Sequence, residues 1–205
     1  MNINTNNWNR IRYTLYTPVY DLIVLYFKNS RKKSIESLNI KPGEKVLIIG
    51  AGTGLDLKFL PNDCEITATD ITASMIGRLK KRSIKLGKNA NAFVADGQAL
   101  GFEDNSFDKI ILHLILAVIP DPVTCIKEAE RVLKQGGLIA VYDKFVKKNH
   151  KVSPLRRVAN LFINFLATDI TRDFESIIKN TELMVVSDVD ADFNGVLRRI
   201  RLVKK

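Results

Sequence analysis

Three glycines and one acid carry the clearest chemical signal in the sequence. The loop 50–54, Gly-Ala-Gly-Thr-Gly, follows the apolar run 46–49 and precedes a stretch that we expect to begin a helix. Glycine lets a backbone turn sharply and approach a ligand closely, and the free N–H groups of a helix start attract a carboxylate or phosphate. Asp70 follows the next strand-like run, where an acid can accept both ribose hydroxyl hydrogens. The pattern predicts a nucleotide-like ligand.

Two common nucleotide sites do not match this loop. Dinucleotide enzymes typically use Gly-x-Gly-x-x-Gly, whereas here the third glycine comes one residue early and Leu55 occupies the dinucleotide position. No Gly-Lys-Ser/Thr follows the loop, which excludes a phosphate-binding P-loop. A tight turn without a ligand is the structural alternative, and the strand-end acid argues against it.

The composition excludes several classes of site. The two cysteines, Cys64 and Cys125, are far apart and have no Cys-x-x-Cys partner, and the sequence contains two histidines. We therefore expect no metal site and no disulfide, and a reducing cytoplasm as the setting. The apolar stretches 15–27 and 110–119 fall short of the roughly 20 residues that a membrane-spanning helix needs, and the first nine residues do not resemble a signal peptide.

The charge favours anionic partners. The net charge is +10 and the sequence pI is about 9.6, a balance suited to nucleic acid, acidic lipid surfaces or acidic substrates. Basic residues cluster at 28–33, 78–88 and 144–157. A merely solvated basic surface is an equally good interpretation of these clusters.

The elements around the loop alternate between strand and helix, which predicts one α/β domain with a mostly parallel sheet over residues 1–205. We expect strands at 46–49, 65–69, 91–94, 107–116 and 138–142, and a closing antiparallel pair at 183–189 and 196–203. We expect helices at 10–38, broken near Pro18, then after the glycine loop as far as Pro61, at 73–86, from Asp121-Pro122 to Gly136-Gly137, at 153–166, and at 171–179.

Four segments resemble the motifs of class I S-adenosylmethionine-dependent methyltransferases. They are 46–54 with the glycine loop, 69–75 (Thr-Asp-Ile-Thr-Ala-Ser-Met), 95–108 beginning Ala-Asp-Gly-Gln-Ala-Leu, and 130–137 (Glu-Arg-Val-Leu-Lys-Gln-Gly-Gly). They stand in the family's order and spacing over residues 46–142. The resemblance implies a Rossmann-like, seven-stranded sheet with S-adenosyl-L-methionine across the carboxyl ends of its strands.

Family roles transfer position by position. The methionine-binding turn would be shaped by Gly50, Gly52 and Gly54, with Ala51 and Thr53 between them. The remaining cofactor contacts would be Asp70 on the ribose, Ile71 on the adenine face with Met75 following, Asp96 on the adenine amino group with Gly97 and Gln98 alongside, and His113 and Leu114 near the sulfonium. One position departs from the pattern: many members carry an acid at the place of Ile48, where it supports the methionine amino group.

The acceptor is indicated by segments outside these motifs. The segment 16–21, Tyr-Thr-Pro-Val-Tyr-Asp, and the tail from 167 resemble bacterial phosphatidylethanolamine N-methyltransferase-like and quinone-methyltransferase-like proteins. We expect residues 1–40 to form a helical cap and 143–170 a basic lid, whose helix 153–166 either binds an anionic membrane surface or packs on the core. A phospholipid amine is the leading acceptor.

Other acceptors and roles stay open. A small molecule or quinone would use the same cofactor residues, and a non-catalytic cofactor-binding module is a third interpretation. No nucleic acid is expected, because the sequence lacks an Asn/Asp-Pro-Pro-Tyr/Phe motif. Tyr13, Tyr16 and Tyr20 could line the entrance and face the acceptor amine, and His113 or a tyrosine hydroxyl could act as base. A structural role is the alternative for His113, and the sequence does not indicate an oligomeric state.

Overall fold

The computed structural model describes residues 5–146, 168–193 and 195–205, with the backbone alone for 16–25. The expected helix 153–166 lies outside the described residues. The helices are α1 (Asn6–Val24), α2 (Lys28–Glu36), α3 (Ala73–Lys85), α4 (Pro122–Val132) and α5 (Phe174–Ile178). The strands are β1 (Lys45–Ile49), β2 (Glu65–Asp70), β3 (Ala90–Val94), β4 (Phe107–His113), β5 (Leu133–Lys144), β6 (Leu183–Asp192) and β7 (Leu197–Lys204). Short 3-10 turns occupy Leu25–Phe27 and Leu57–Phe59.

The strands of the described chain form one seven-stranded sheet in the order β3-β2-β1-β4-β5-β7-β6. The pairs among β1 to β5 are parallel, and β7 pairs antiparallel with both β5 and β6. The predicted α/β class, the mostly parallel sheet and the closing antiparallel pair are confirmed. The strand order reverses at β1, which lies between β2 and β4, and ligands of open α/β sheets bind outside the carboxyl ends of the strands at such a point.

Apolar residues cover both faces of the sheet, as central parallel strands require. Ile49 and Leu112 belong to a core that packs against α4 and α5, whereas Ile48 and Ile111 belong to a second core against α2 and α3. Successive residues of one strand therefore serve opposite layers. This alternation decides which strand-end side chains can reach a ligand.

Several predicted boundaries were wrong. α1 runs through Pro18, and the interruption falls instead at Leu25–Phe27. α4 ends at Val132, before the Gly136-Gly137 pair, because Leu133 is already extended and begins β5. The start of α4 is as predicted: the Asp121 side chain accepts hydrogen bonds from the N–H groups of Val123 and Thr124. No helix within the described residues is long and apolar enough to span a membrane.

Candidate cofactor site

A cleft opens at the carboxyl ends of β1, β2, β3 and β4. Apolar side chains and a few polar groups line it, which is the kind of lining that small-molecule sites have. Eight of the predicted cofactor residues line it: Gly50, Gly52, Asp70, Ile71, Met75, Asp96, Gly97 and Leu114. The fold thus gathers residues from four separate strand ends around one space.

The glycine loop has the backbone shape that glycine allows. Gly50 and Gly52 have φ angles of 68° and 56°, in the left-handed region. A Cβ on Gly50 would lie 2.7 Å from Cδ1 of Ile115, a cleft residue. The loop therefore packs against Ile115 more closely than a side chain at position 50 would permit.

The other three loop residues pack behind the cleft. A Cβ on Gly54 would lie 2.8 Å from Cγ of Leu79 on α3, so this glycine is required by packing. The guanidinium of Arg82 donates to the carbonyl oxygen of Thr53 at 2.5 Å and to its hydroxyl at 2.8 Å. Ala51 is buried. Ala51, Thr53 and Gly54 hold the loop and are not among the residues that line the cleft.

The helix expected directly after the loop is absent. The stretch from Gly54 to β2, which the structure describes throughout, contains a single 3-10 turn at Leu57–Phe59. Pro61 restricts its preceding residue to extended conformations, and Leu60 is extended (φ −79°, ψ 147°). The predicted attraction of a helix start for an anion was therefore wrong for this loop.

Asp70 connects the end of β2 to the glycine loop. Its carboxylate accepts hydrogen bonds from the N–H of Gly52 and the N–H of Thr72, both at 2.8 Å. Burial raises the pKa of Asp70, and the two backbone N–H groups partly offset that rise. Each carboxylate oxygen has two lone pairs, so capacity remains for hydroxyl donors from a ligand.

Asp96 follows β3 in the cleft lining and contacts α1. It accepts hydrogen bonds from the N–H and side-chain amide of Gln98 and, at 2.5 Å, from Nδ2 of Asn6 on α1. The Oε1 of Gln98 accepts from the N–H of Asp121 at the start of α4. Gln98 therefore orients Asp96 from behind, while Gly97 lines the cleft itself.

α1 supplies three cleft residues, of which Tyr13 was predicted to line the entrance and Asn6 and Asn9 were not. Asn6, Asn9 and Tyr13 line the cleft on one face of the helix, and Nδ2 of Asn9 donates to the carbonyl of Val118 at 3.1 Å. Their spacing of three and four residues was the available signal. The side chains of Tyr16 and Tyr20 lie outside the described residues, so their predicted contact with an acceptor stays a prediction.

His113 is not placed among the cleft residues. As the last residue of β4 its side chain faces the α2 layer, where Nδ1 lies 3.1 Å from a carboxylate oxygen of Asp56 and Nε2 lies 3.0 Å from the hydroxyl of Ser34. Both ring nitrogens are thus engaged and the ring is buried. The geometry supports the structural alternative for His113 over its predicted role as a base or cofactor contact. Leu114 turns into the cleft with a φ of 58°.

Ile48, the position that departs from the family pattern, does not face the cleft. Ile48 is buried in the core against α2 and α3, while its neighbour Ile49 lines the cleft. The acid behind the loop is Asp56, whose carboxylate pairs with Arg31. Among the described residues, no group of three His, Cys, Asp or Glu side chains is placed to hold a metal ion.

Comparisons with known proteins agree with this geometry. Residues 47–141 match the family model described as a methyltransferase domain. A phosphatidylethanolamine N-methyltransferase of Cereibacter sphaeroides is 22% identical over 87% of this chain and 88% of its own length. The ubiquinone/menaquinone biosynthesis C-methyltransferase UbiE of Shewanella sediminis is 35% identical over 71% of this chain, which spans 61% of that protein. The YcgJ protein of Bacillus subtilis shares the fold, with a TM-score of 0.70 at 17% identity over 86% of this chain and 98% of its own.

Fold, motifs and relatives together define the protein class. The chain belongs to the class I S-adenosylmethionine-dependent methyltransferases. Its cofactor is S-adenosyl-L-methionine, and the cleft fits that molecule because the side-chain-free approach at Gly50 and the two acids at the ends of the cleft suit its amino-acid and nucleoside parts.

Proposed function

We propose that this protein transfers a methyl group from S-adenosylmethionine to the amine of an amphiphilic molecule, with phosphatidylethanolamine as the leading acceptor. The observation that carries this choice is the extent of similarity. The phosphatidylethanolamine N-methyltransferase matches over 87% of this chain and 88% of its own length, a longer stretch than the cofactor motifs at 46–142 occupy. An anionic membrane surface is the proposed partner, and it would present such an acceptor.

The cofactor roles follow from the cleft. Asp70 would accept the ribose hydroxyls, Asp96 the adenine amino group, and the turn at Gly50–Gly54 would receive the methionine part. When bound, the cofactor supplies an electrophilic methyl group on a sulfonium. The protein's own task is then to hold the acceptor in line, since alignment alone can contribute about 7–11 kcal/mol toward a barrier.

An ammonium acceptor must lose a proton before it can attack a methyl group. His113 is engaged by Asp56 and Ser34 and is not positioned for this task. Tyr13 lines the cleft, and Tyr16 and Tyr20 follow on the same helix. We propose that these aromatic faces hold the amine, since such faces attract ammonium and methylated ammonium groups.

A quinone or other small molecule is the second candidate. The UbiE relative has higher identity, 35%, but over a shorter share of both chains. Its higher identity favours a quinone ring carbon as acceptor, and such a reaction would use the same cofactor residues.

Labelled methyl transfer separates the candidates. The protein is incubated with radiolabelled S-adenosylmethionine and either detergent-dispersed phosphatidylethanolamine or a quinone extract. We expect label in the phospholipid, with a rate that rises with pH as the neutral amine becomes available. Asp70→Ala is the inactive control in both arms. Label confined to quinones would contradict the lipid acceptor and leave the enzyme class intact, and binding without transfer to any extract would favour a non-catalytic module.

A further inference from the structure

Four buried polar side chains meet on the sheet face behind the cleft. Arg31 of α2 donates from Nε and Nη2 to the two carboxylate oxygens of Asp56, at 2.9 and 2.8 Å. The same carboxylate contacts Nδ1 of His113 at 3.1 Å, and Nε2 of His113 contacts the hydroxyl of Ser34 at 3.0 Å. Each of the four residues is at most 5% exposed. We call this group the Arg31 cluster.

The cluster joins the cap to the two backbone turns that shape the cleft. Asp56 follows the glycine loop by two residues, and the N–H of Leu57 donates to the carbonyl of Gly54. His113 is followed by Leu114, a cleft residue whose left-handed backbone is unfavourable for a leucine. The side chains of α2 therefore reach the glycine loop through Asp56 and the turn at Leu114 through His113. They do so where the described chain has no α-helix directly after the glycine loop.

The charge balance of the cluster depends on one arginine. Burial alone would raise the pKa of Asp56, but the charge of Arg31 and the side-chain hydrogen bonds with His113 and Arg31 hold it well below its usual range. A buried carboxylate without such a partner is costly, and removing one member of a buried pair is strongly destabilising. The position of the loop behind the cleft thus depends on a cation supplied by the cap.

We propose that Arg31 is a positioning residue for the cofactor site. Acting through Asp56 and His113, it fixes the glycine loop and the Leu114 turn in the geometry that receives S-adenosylmethionine. This inference rests on the proposed use of the cleft as the cofactor site. It gives α2 of the cap a direct part in cofactor affinity, although α2 contributes no residue to the cleft lining.

The charge of the Arg31 cluster makes cofactor binding sensitive to pH once Arg31 is replaced. Without Arg31, the pair of Asp56 and His113 must either bind a proton or leave a buried negative charge uncompensated. The other groups facing the pair cannot replace the arginine. Tyr142 of β5 packs edge-on 5.9 Å from the His113 ring and donates its hydroxyl to Asp192, and Lys58 is turned to the Phe59 ring. Burial and then the nearby Lys28 and Arg31 lower the pKa of Lys58.

The test is calorimetric titration with S-adenosylhomocysteine, the demethylated cofactor, between about pH 6.5 and pH 8.5, a window in which a bound proton can stand in for the lost charge. Wild type should bind with the same Kd across the window to within about threefold. Arg31→Met should bind at least about tenfold more weakly at the upper end and recover toward wild type at the lower end. The combined variant Arg31→Met, Asp56→Asn should regain wild-type affinity to within about threefold, without pH dependence, because no buried charge remains.

A matched control uses Arg131 of α4, which makes a bidentate hydrogen-bonded ion pair with Glu128 away from the glycine loop. Arg131→Met should leave the Kd unchanged. Wild-type affinity in Arg31→Met at the upper pH, or a loss that neither pH nor Asp56→Asn relieves, would overturn the proposal. If Arg31→Met alone does not fold, the charge-neutral double variant decides: folded protein without binding overturns it. Wild type that fails to bind the ligand would instead reject the cleft as the cofactor site.

Discussion

Neighbouring residues at the ends of β1 and β4 serve opposite sides of the sheet. Ile49 and Leu114 line the cleft, whereas Ile48 and His113 lie in the layer toward α2. A shift of one position along a strand exchanges its two faces. Chemical type alone therefore does not identify a site residue at a strand end, and a histidine that could act as a base is used here to hold the glycine loop.

Asp70 is the residue whose removal should most directly weaken cofactor binding. Asp70→Ala should weaken the binding free energy of S-adenosylhomocysteine by about 1.5–3 kcal/mol, because charge-assisted hydrogen bonds to the ribose and to the N–H of Gly52 are lost. Its pKa is raised by burial, so the carboxyl takes up a proton at a higher pH than an ordinary aspartate. Affinity should accordingly fall as the pH is lowered, and the fall should begin above the pH range in which an ordinary aspartate takes up its proton.

Asp70→Asn provides the control for the fall in affinity at low pH, since the asparagine amide does not titrate. It should bind weakly with little change over the same pH range. Calorimetry on folded protein checks both variants. Unchanged affinity in Asp70→Ala would contradict the assignment of this acid to the ribose.

α1 lines one side of the cleft, and its Asn6 is hydrogen-bonded to Asp96, the carboxylate proposed to bind adenine. The carboxamide of Asn6 donates to Asp96 and accepts from Nε2 of Gln98 at 3.3 Å. An amide thus offers Asp96 the same kind of N–H donor that an adenine amino group would. The contact must be exchanged when the nucleoside enters.

Asn6→Ala should therefore tighten S-adenosylhomocysteine binding by about two- to tenfold, the equivalent of one competing hydrogen bond, and speed association in stopped flow. Asn9→Ala is the matched control, because Asn9 lies one turn along the same face and bonds to the Val118 carbonyl instead. Weaker binding in Asn6→Ala would mean that Asn6 contacts the cofactor rather than competing with it.

Elements with a strong local signal could be predicted from the sequence. β2 and β3 were predicted to within a residue because apolar runs stand between turn residues, and α3 because its stripe repeats at helical spacing. The short helix predicted between the glycine loop and Pro61 was wrong, and the structure has a 3-10 turn there at Leu57–Phe59. The Arg31 cluster could not be predicted, since Arg31, Asp56 and His113 are distant in sequence and meet only through the sheet topology. The cleft lining from α1 depended in the same way on how the cap packs.

The positive charge is distributed unevenly over the surface of the protein. α3 exposes Arg78, Lys80, Lys81 and Lys85, and the sequence 73–90 contains no acid. Ile84 protrudes among these cations with 80% of its surface exposed. Cations around an apolar side chain suit the interface of an anionic membrane.

Vesicles containing anionic lipid should therefore recruit the protein more than neutral vesicles, and added salt should reverse the difference through screening. Lys81→Glu with Lys85→Glu should reduce recruitment, because each cation near such a surface contributes about 1 kcal/mol. The pair Lys127→Glu and Lys179→Glu, exposed elsewhere, changes the net charge equally and should have a smaller effect. Sedimentation with vesicles measures the recruitment of wild type and of both double variants. An equal loss of recruitment in the two variants would assign the effect to net charge alone.

The direction of the last strand has a practical consequence for handling the protein. Leu197 pairs with Lys144 and Val203 with Leu138, so β7 carries the chain away from the edge at which the cleft opens. Asn6, by contrast, stands at the cleft. A purification tag attached ahead of α1 would join the chain beside the cleft lining, whereas one attached after β7 would leave from the opposite edge of the sheet. Affinities are best compared between proteins tagged at that far end.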